Sequence, residues 1–296
     1  MKKKIDLNFP VGIIDVGSNS VRLLLTDGVF FNKNIITTRL GEGLTKNKEL
    51  TANSIMRTVN AVKTLVDLAK SKGANQVFVF ATAAVREAVN GKEFTSLVKD
   101  LTGITVDVVS GDNEAELGIK GALNGEIGGI IDVGGASTEV AYFDGVKTVY
   151  KKSLPMGAVK LYTQFGRDKE KISKFACQKA EEYGEGVKGS YKAIGGTATT
   201  LASIDLNLKV YDSSIVDGHF IPLERLEKIA DKLYSLTPNE IIDNYAIQPQ
   251  RADIIAGGAS VICAVCKQLK LDGITVSEKD NLEGYLYFLQ NEKEDI

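Results

Sequence analysis

Apolar residues along this chain gather into short runs and into longer stripes at helical spacing. Residues 11–16 and 21–26 are short apolar runs on either side of a Gly-Ser-Asn turn, and they predict two buried strands. Between 51 and 73 the apolar positions are 55, 59, 62, 65, 66 and 69, the period of one helix face. Thr51 or Asn53 can cap that helix, and Gly73 ends it. Residues 76–82 and 104–110 read as buried strands, with helices expected after each. The second half repeats the scheme. GGIIDV (128–133) and TEVAYFDG (138–145) form a hairpin, 146–154 adds a third strand, and 192–196 is a strand running into a glycine turn. Helices are predicted at 168–188, 222–235, 249–271 and 281–290, with a late strand at 272–277. Strands alternating with helices predict α/β domains with mixed sheets.

A repeat organises this pattern. VGIIDVGSNSVRLLLTDG (11–28) aligns with GGIIDVGGASTEVAYFDG (128–145), and nine of the eighteen pairs are identical. The offset of 117 residues is too long for a solenoid unit. It suits two domains of one architecture, each opening on the same hairpin. The length of 296 residues suits two domains. The boundary is expected near 123–129, giving domains 1–125 and 126–296, and the last helix can pack back on the first domain.

Composition narrows the chemistry. Hydrophobic residues make up 44% and charged residues 25%, with net charge −2, so nothing marks the molecule as a nucleic-acid or membrane binder. No stretch reads as a signal peptide or a bilayer span, and a cytoplasmic location is expected. Three cysteines argue against a disulfide framework. Cys263 and Cys266 form a C-x-x-C, but within SVICAVCKQL they read as small core residues of a buried helix. With a single histidine, His219, read as structural or exposed, a Cys/His zinc site is nearly excluded. Acid–base work falls to Asp, Glu, Lys or Tyr.

Both hairpin turns are Asp-Val-Gly followed by small polar residues. Glycine lets backbone approach a ligand closely, and a run of free N–H groups makes an anion nest. Candidate phosphate-binding residues are Gly17, Ser18, Asn19 and Ser20 in the first copy, and Gly134, Gly135, Ser137 and Thr138 in the second. Gly195, Gly196 and Thr197 stand where a strand meets a helix N-terminus, which favours phosphate. Gly257-Gly258 is a fourth glycine pair, inside an apparent helix. The familiar nucleotide-loop motifs are absent. Asp15 and Asp132 precede the turn glycines at equivalent positions. A carboxylate beside a phosphate nest points to a bridging hard cation, such as Mg²⁺ or Mn²⁺.

The order of motifs resembles the exopolyphosphatase and guanosine pentaphosphate phosphatase family. The segments that carry the resemblance are IIDVGSNSVRLLL, FATAAVREAVNG (80–91), VVSGDNEAELGIKGAL (108–123), IIDVGGASTE (130–139), LPMGAVKL, AIGGTATTLA, QRADIIAGGASVI and TVSEKDNLEGYLY. They cover nearly the whole chain. The resemblance implies two ribonuclease H-like domains, a fold shared with sugar and acetate kinases, actin and heat-shock chaperones, with the site in the cleft between them. It implies metal-assisted hydrolysis of a terminal phosphoanhydride in linear polyphosphate or guanosine pentaphosphate. It assigns Glu114 to activate or orient water, Glu139 as second carboxylate, Asp132 as the metal-linked aspartate and Arg86 as the phosphate-facing arginine. The metal set would be Asp132, Asp15 and Glu139. A homodimer is expected from relatives.

Two residues depart from the family pattern. Ala136 stands where a third Gly is usual, and a small residue should fit unless its φ is positive. Asn113 stands where another acid is often found. The chain also reads as a short form without the C-terminal helical region. Two other readings stay open from the residues: an ATP-dependent phosphotransferase of the same fold, and a regulator that binds polyphosphate or guanosine tetraphosphate without efficient turnover.

Overall fold

The computed structural model describes residues 7–44 and 48–290. Its first sheet contains β1 (Val11–Val16), β2 (Ser20–Thr26), β3 (Phe31–Thr37), β4 (Gln76–Ala81) and β5 (Val106–Val108). The helices interleaved with it are α1 (Ala52–Ser71), α2 (Ala83–Glu87), α3 (Gly91–Thr102) and α4 (Gly111–Leu123). The second sheet contains β6 (Gly128–Val133), β7 (Thr138–Phe143), β8 (Thr148–Leu154), β9 (Tyr191–Ile194), β10 (Phe220–Pro222) and β11 (Gly273–Val276). Its helices are α5 (Ala158–Phe165), α6 (Lys169–Ala180), α7 (Gly195–Asp205), α8 (Ser213–Val216), α9 (Leu223–Ser235), α10 (Pro238–Asn244) and α11 (Ile255–Gln268). A last helix, α12 (Asn281–Gln290), follows β11.

The two sheets share one topology. The first runs β3-β2-β1-β4-β5 and the second β8-β7-β6-β9-β11, with β10 added on the outer edge. In each, three strands are antiparallel neighbours and the next two add in parallel. This is the ribonuclease H-like order, present twice.

The central strands explain the repeated sequence. Every residue of β1 and β6 is buried, so both read as continuous apolar runs, as strands covered on both faces do. One aspartate interrupts each, at the penultimate position, just before the chain turns. The carboxyl ends of such strands are where α/β sheets hold ligands.

α1 follows the predicted stripe. Thr51 caps it by accepting from the Ser54 N–H, and Ile55, Val59, Val62, Leu65, Val66 and Ala69 are its buried apolar face. α12 packs on two neighbours. Leu282, Tyr285, Leu286 and Leu289 join Val11, Ile13, Leu24 and Phe80 of the first sheet in one core cluster. On its other side it lies against α4.

Some elements differ from the pattern. The helix expected over 168–188 ends at Ala180, passes through a 3₁₀ turn and stops at Gly184 with φ +67°. The helix expected over 249–271 begins only at Ile255, after a separate turn at Pro249–Arg251. The sequence reading omitted β3, β10, α5, α8 and α10. β3 is an edge strand with three leading exposed residues, so it lacks a buried run to mark it. Cys263 and Cys266 lie in the buried face of α11, and burial pushes the Cys263 thiol up to about 12, as an inert core thiol requires. His219 Nε2 lies 2.8 Å from an Asp205 carboxylate oxygen, a structural contact. Among the described residues no helix is long and apolar enough to cross a membrane.

Candidate functional site

The two hairpin turns close alike. The Gly17 N–H donates to the Ser20 carbonyl at 3.0 Å, and the Gly134 N–H donates to the Ser137 carbonyl at 3.0 Å. These two amides are therefore not available to an anion, which corrects part of the expected nest. Among the described residues the amides of Ser18, Asn19, Gly135 and Ala136 take no protein acceptor. The turns also touch each other: a Cβ on Gly135 would stand 2.8 Å from the Ser18 Cβ and 3.4 Å from the Asn19 nitrogen. Glycine at 135 is what allows the two copies to meet.

A small cavity of about 100 Å³ lies where they meet. The first copy contributes Asp15, Gly17, Ser18, Asn19, Ser20 and Arg22 to its wall. The second contributes Asp132, Gly134, Gly135, Ala136 and Ser137, with Gly195, Gly196 and Thr197 beside them. Thr82 and Glu114 come from the first sheet's βα connections, and Arg251 and Asn281 from far along the chain.

Three predicted residues lie outside that wall. Thr138 is fully buried and its hydroxyl donates to the Met156 carbonyl, so it supports the hairpin and does not face the anion space. Glu139 sits behind Asp132, its partner across the β6/β7 register. Arg86 reaches Glu114 from the side, with Nη1 at 2.9 Å from Glu114 Oε2 and also 2.9 Å from the Val109 carbonyl. Thr197 is in the wall, but its hydroxyl donates to the Val133 carbonyl at 2.8 Å.

Glu114 is placed by the first turn of α4. Ser110 caps that helix by accepting from the Asn113 N–H, and the Asn113 side chain is exposed. The departure at 113 thus leaves Glu114 untouched. Glu114 is 7% exposed, and burial pushes its carboxyl up to about 7 against the pull of Arg86. Such a value suits a group that must take a proton near neutral pH.

The second copy concentrates negative charge. Burial, and then the nearby Glu114 and Asp280 carboxylates, push Asp132 up to about 8. Burial, Glu114 and Asp132 hold Glu139 well above the ordinary carboxylate range. Glu139 Oε1 accepts from the Ser153 hydroxyl at 2.6 Å and the nearby Ser137 side chain also pulls the carboxyl down, while its Oε2 is buried with no partner at normal hydrogen-bond distance among the described residues. Asp132 Oδ2 accepts from the Asn281 amide at 2.9 Å, and its Oδ1 lies beside Gly195, where a Cβ would stand 2.7 Å away. Gly195 has φ +77°, so it meets both a backbone and a steric demand.

The first copy is arranged differently. Arg22 binds Asp15 Oδ2 through Nε at 3.0 Å, and binds Asp280 through its Nη1. Asp15 Oδ2 is therefore held in an ion pair, while its buried Oδ1 makes no hydrogen bond among the described residues. Among the described residues no group of three or more His, Cys, Asp or Glu side chains is arranged to hold a metal ion.

Sequence reasoning missed Arg22, Arg251 and Asn281. Arg251 donates to the Gly196 carbonyl at 2.9 Å and, among the described residues, has no carboxylate in ion-pair range. Burial, and then the like charge of Arg22, lower it to about 10. A half-buried guanidinium on a cavity wall, with no carboxylate in ion-pair range among the described residues, can bind an anion. The only local signal was the QRAD stretch itself.

A family model described as the Ppx/GppA phosphatase family matches residues 28–292. The bifunctional 3-dehydroquinate synthase/phosphatase of Fusobacterium nucleatum is 30% identical over 94% of this chain, which spans 46% of that protein's length. Exopolyphosphatase 2 of Mycobacterium tuberculosis is 28% identical over 93% of this chain and 96% of its own. The crystal structure of an Aquifex aeolicus Ppx/GppA family member superposes with TM-score 0.76 at 27% identity, covering 96% of this chain and 99% of that one. Two equivalent hairpins around one cavity, the motif order and a family match over most of the chain agree: the protein belongs to the Ppx/GppA phosphatase family.

Proposed function

We propose that this chain hydrolyses the terminal phosphoanhydride of linear polyphosphate, of guanosine pentaphosphate, or of both, in the cavity between the two hairpins. The two hairpins would open two domains, 1–125 and 126–296. The observation that carries the reading is Glu114: a buried carboxyl pushed up to about 7, on the same cavity wall as the open turn amides and the half-buried Arg251.

The roles follow from the placement. The amides of Ser18, Asn19, Gly135 and Ala136, with the side chains of Ser18, Asn19 and Ser20, grip phosphate oxygens from two sides. The half-buried Arg251 adds positive charge. Glu114 takes a proton from a water whose oxygen attacks the terminal phosphorus. The bridging P–O bond breaks and the shortened chain leaves with its oxygen. Arg86 fixes Glu114 in line with that water. Positioning and charge stabilisation supply most of the rate in phosphoryl transfer.

A divalent cation fits the second copy. Asp132 and Glu139 are adjacent buried carboxylates held above their ordinary range, and among the described residues neither has a cation at ion-pair distance and Glu139 Oε2 makes no hydrogen bond. Asp132 would hold Mg²⁺ or Mn²⁺ with Glu139 behind it, in the manner of magnesium sites that use one or two carboxylates plus substrate phosphates. Bound there, the cation would neutralise charge on the phosphoryl oxygens.

The test is phosphate release by wild type and Glu114→Gln on short polyphosphate, long polyphosphate, guanosine pentaphosphate and ATP, with Mg²⁺ or Mn²⁺. Metal-dependent release from one of the first three, reduced about 10²-fold or more in the variant, is expected. Absence of release from all four substrates overturns the hydrolase reading.

A further inference from the structure

Two consecutive side chains at the start of α12 reach the aspartates of both repeats. Asp280 binds Arg22, and Arg22 holds Asp15. Asn281 donates its amide N–H to Asp132 Oδ2 at 2.9 Å. Both residues are buried.

The helix behind them is locked to α4, which carries Glu114. A Cβ on Gly121 of α4 would collide with the Asp280 carbonyl oxygen, and a Cβ on Gly284 of α12 would collide with the Leu117 carbonyl oxygen. At Gly118 a Cβ would stand 3.3 Å from Asn281 Oδ1. Only glycine lets the two backbones come this close. One short segment therefore touches the supports of Asp15, Asp132 and Glu114 together.

Asn281 has an unusual feature for a residue that only fills space. Its Oδ1 is buried with no hydrogen-bond partner among the described residues. A buried unpaired carbonyl is unfavourable, and an apolar side chain of similar shape would avoid it. The amide N–H toward Asp132 is what an apolar side chain cannot supply.

We infer that Asn281 is a positioning residue, whose amide sets the rotation of the Asp132 carboxylate relative to Glu114 and to the first repeat. This rests on the proposed reading of Asp132 as the cation-holding group. Asn281 itself touches no reacting atom. With one carboxylate oxygen fixed by the amide, the other is left beside Gly195 at the cavity wall.

The experiment uses the full chain and the variants Asn281→Leu, Asn281→Ser and Asp132→Asn. Three quantities are read: the thermal unfolding midpoint, Mn²⁺ binding from the electron spin resonance signal of free Mn²⁺ with inorganic phosphate present, and kcat and KM on polyphosphate. For the Asn281 variants, Mn²⁺ affinity and kcat each fall about 10- to 100-fold, the range for partners that orient a metal-holding group. KM stays within about threefold, because the phosphate grip is intact. The Ser variant keeps the test open if Leu does not fold. If a folded Asn281 variant binds Mn²⁺ and turns over like wild type while Asp132→Asn loses both, the positioning role is overturned alone. If Asp132→Asn also binds and turns over normally, the underlying reading falls and the inference falls with it.

Discussion

The two hairpins share a strand, an aspartate and a turn, but they differ at one register position. Opposite Asp15 stands Arg22; opposite Asp132, at the equivalent place, stands Glu139. In the first copy the aspartate is neutralised by the protein's own guanidinium, which Asp280 also binds. In the second copy two carboxylates face each other with no cation at ion-pair distance among the described residues, although the more distant Arg22 charge pulls Asp132 down; burial holds Asp15, Asp132 and Glu139 all above their ordinary range. The first copy's aspartate holds a protein cation on Oδ2, while its Oδ1 makes no hydrogen bond among the described residues; the second copy's carboxylate pair has no cation at ion-pair distance among the described residues. The duplicated fold thus supplies the two turns proposed to grip phosphate, while the residue opposite each aspartate gives the two copies different electrostatics. The paired like-charged carboxylates are the physical reason for proposing the cation in the second copy.

The sharpest way to break this comparison is to neutralise each aspartate in turn. Asp132→Asn should lower metal-dependent phosphate release by about 100-fold, the upper end of losses seen when a metal site loses support. Asp15→Asn should change kcat by less than about tenfold if its role is the ion pair with Arg22. Equal losses in both variants, measured as kcat on the same substrate, would show that the copies share the cation.

Stability should show the reverse asymmetry. Arg22→Leu leaves Asp15 and Asp280 buried without their cation. Breaking a buried pair in this way costs about 3–5 kcal/mol, read as a lower urea midpoint at unchanged slope. Glu139→Gln removes a group that has no cationic partner, so its urea midpoint should stay at or above that of wild type in metal-free buffer.

The strands and α1 were legible in the sequence because their signals are local. The buried runs at 11–16 and 128–133 and the six-position stripe of α1 each lie within one window. Glu114 and Arg86 came from the resemblance, and the structure places them in direct contact. Arg22 was within the quoted repeat but gave no warning of its role, since one of its two partners lies 258 residues away. Asn281 reaches Asp132 across 149 residues, and Arg251 reaches Gly196 across 55. Long-range polar contacts leave no periodic trace. Thr138 was misjudged for the opposite reason: a hydroxyl beside a glycine turn looks like a phosphate donor, but the strand aims it at the Met156 carbonyl.

The unequal charge of the copies also predicts a pH dependence. Glu114 is raised to about 7 and Asp132 to about 8, both above their values in an unfolded chain. The folded state then holds protons that the unfolded state has released, so stability falls as pH rises. From these two groups the loss in metal-free protein begins above the ordinary carboxylate range near 4 and runs through about 8. Chemical denaturation at pH 5, 6, 7 and 8 should show it, and Asp132→Asn should flatten the slope. Mg²⁺ should raise the unfolding midpoint more at pH 8 than at pH 6, since it binds the ionised carboxylates.

The smallest expected effect lies in the turns themselves. Asn19 of the first copy corresponds to Ala136 of the second, where the family pattern has glycine. Ala136 is not among the residues with positive φ, so its Cβ meets no backbone penalty. It is buried beside Gly135, whose missing Cβ is what lets the copies touch. The demand for glycine therefore sits at 135 and not at 136. Ala136→Gly should leave kcat within about twofold and lower stability by about 0.4–1 kcal/mol, through the greater freedom of the unfolded chain. Gly135→Ala, by contrast, would push its Cβ against Ser18 at 2.8 Å and separate the turns. If Ala136→Gly instead raised kcat tenfold with KM unchanged, the alanine methyl would be crowding the phosphate as it reacts, and the second turn would be the one that limits catalysis.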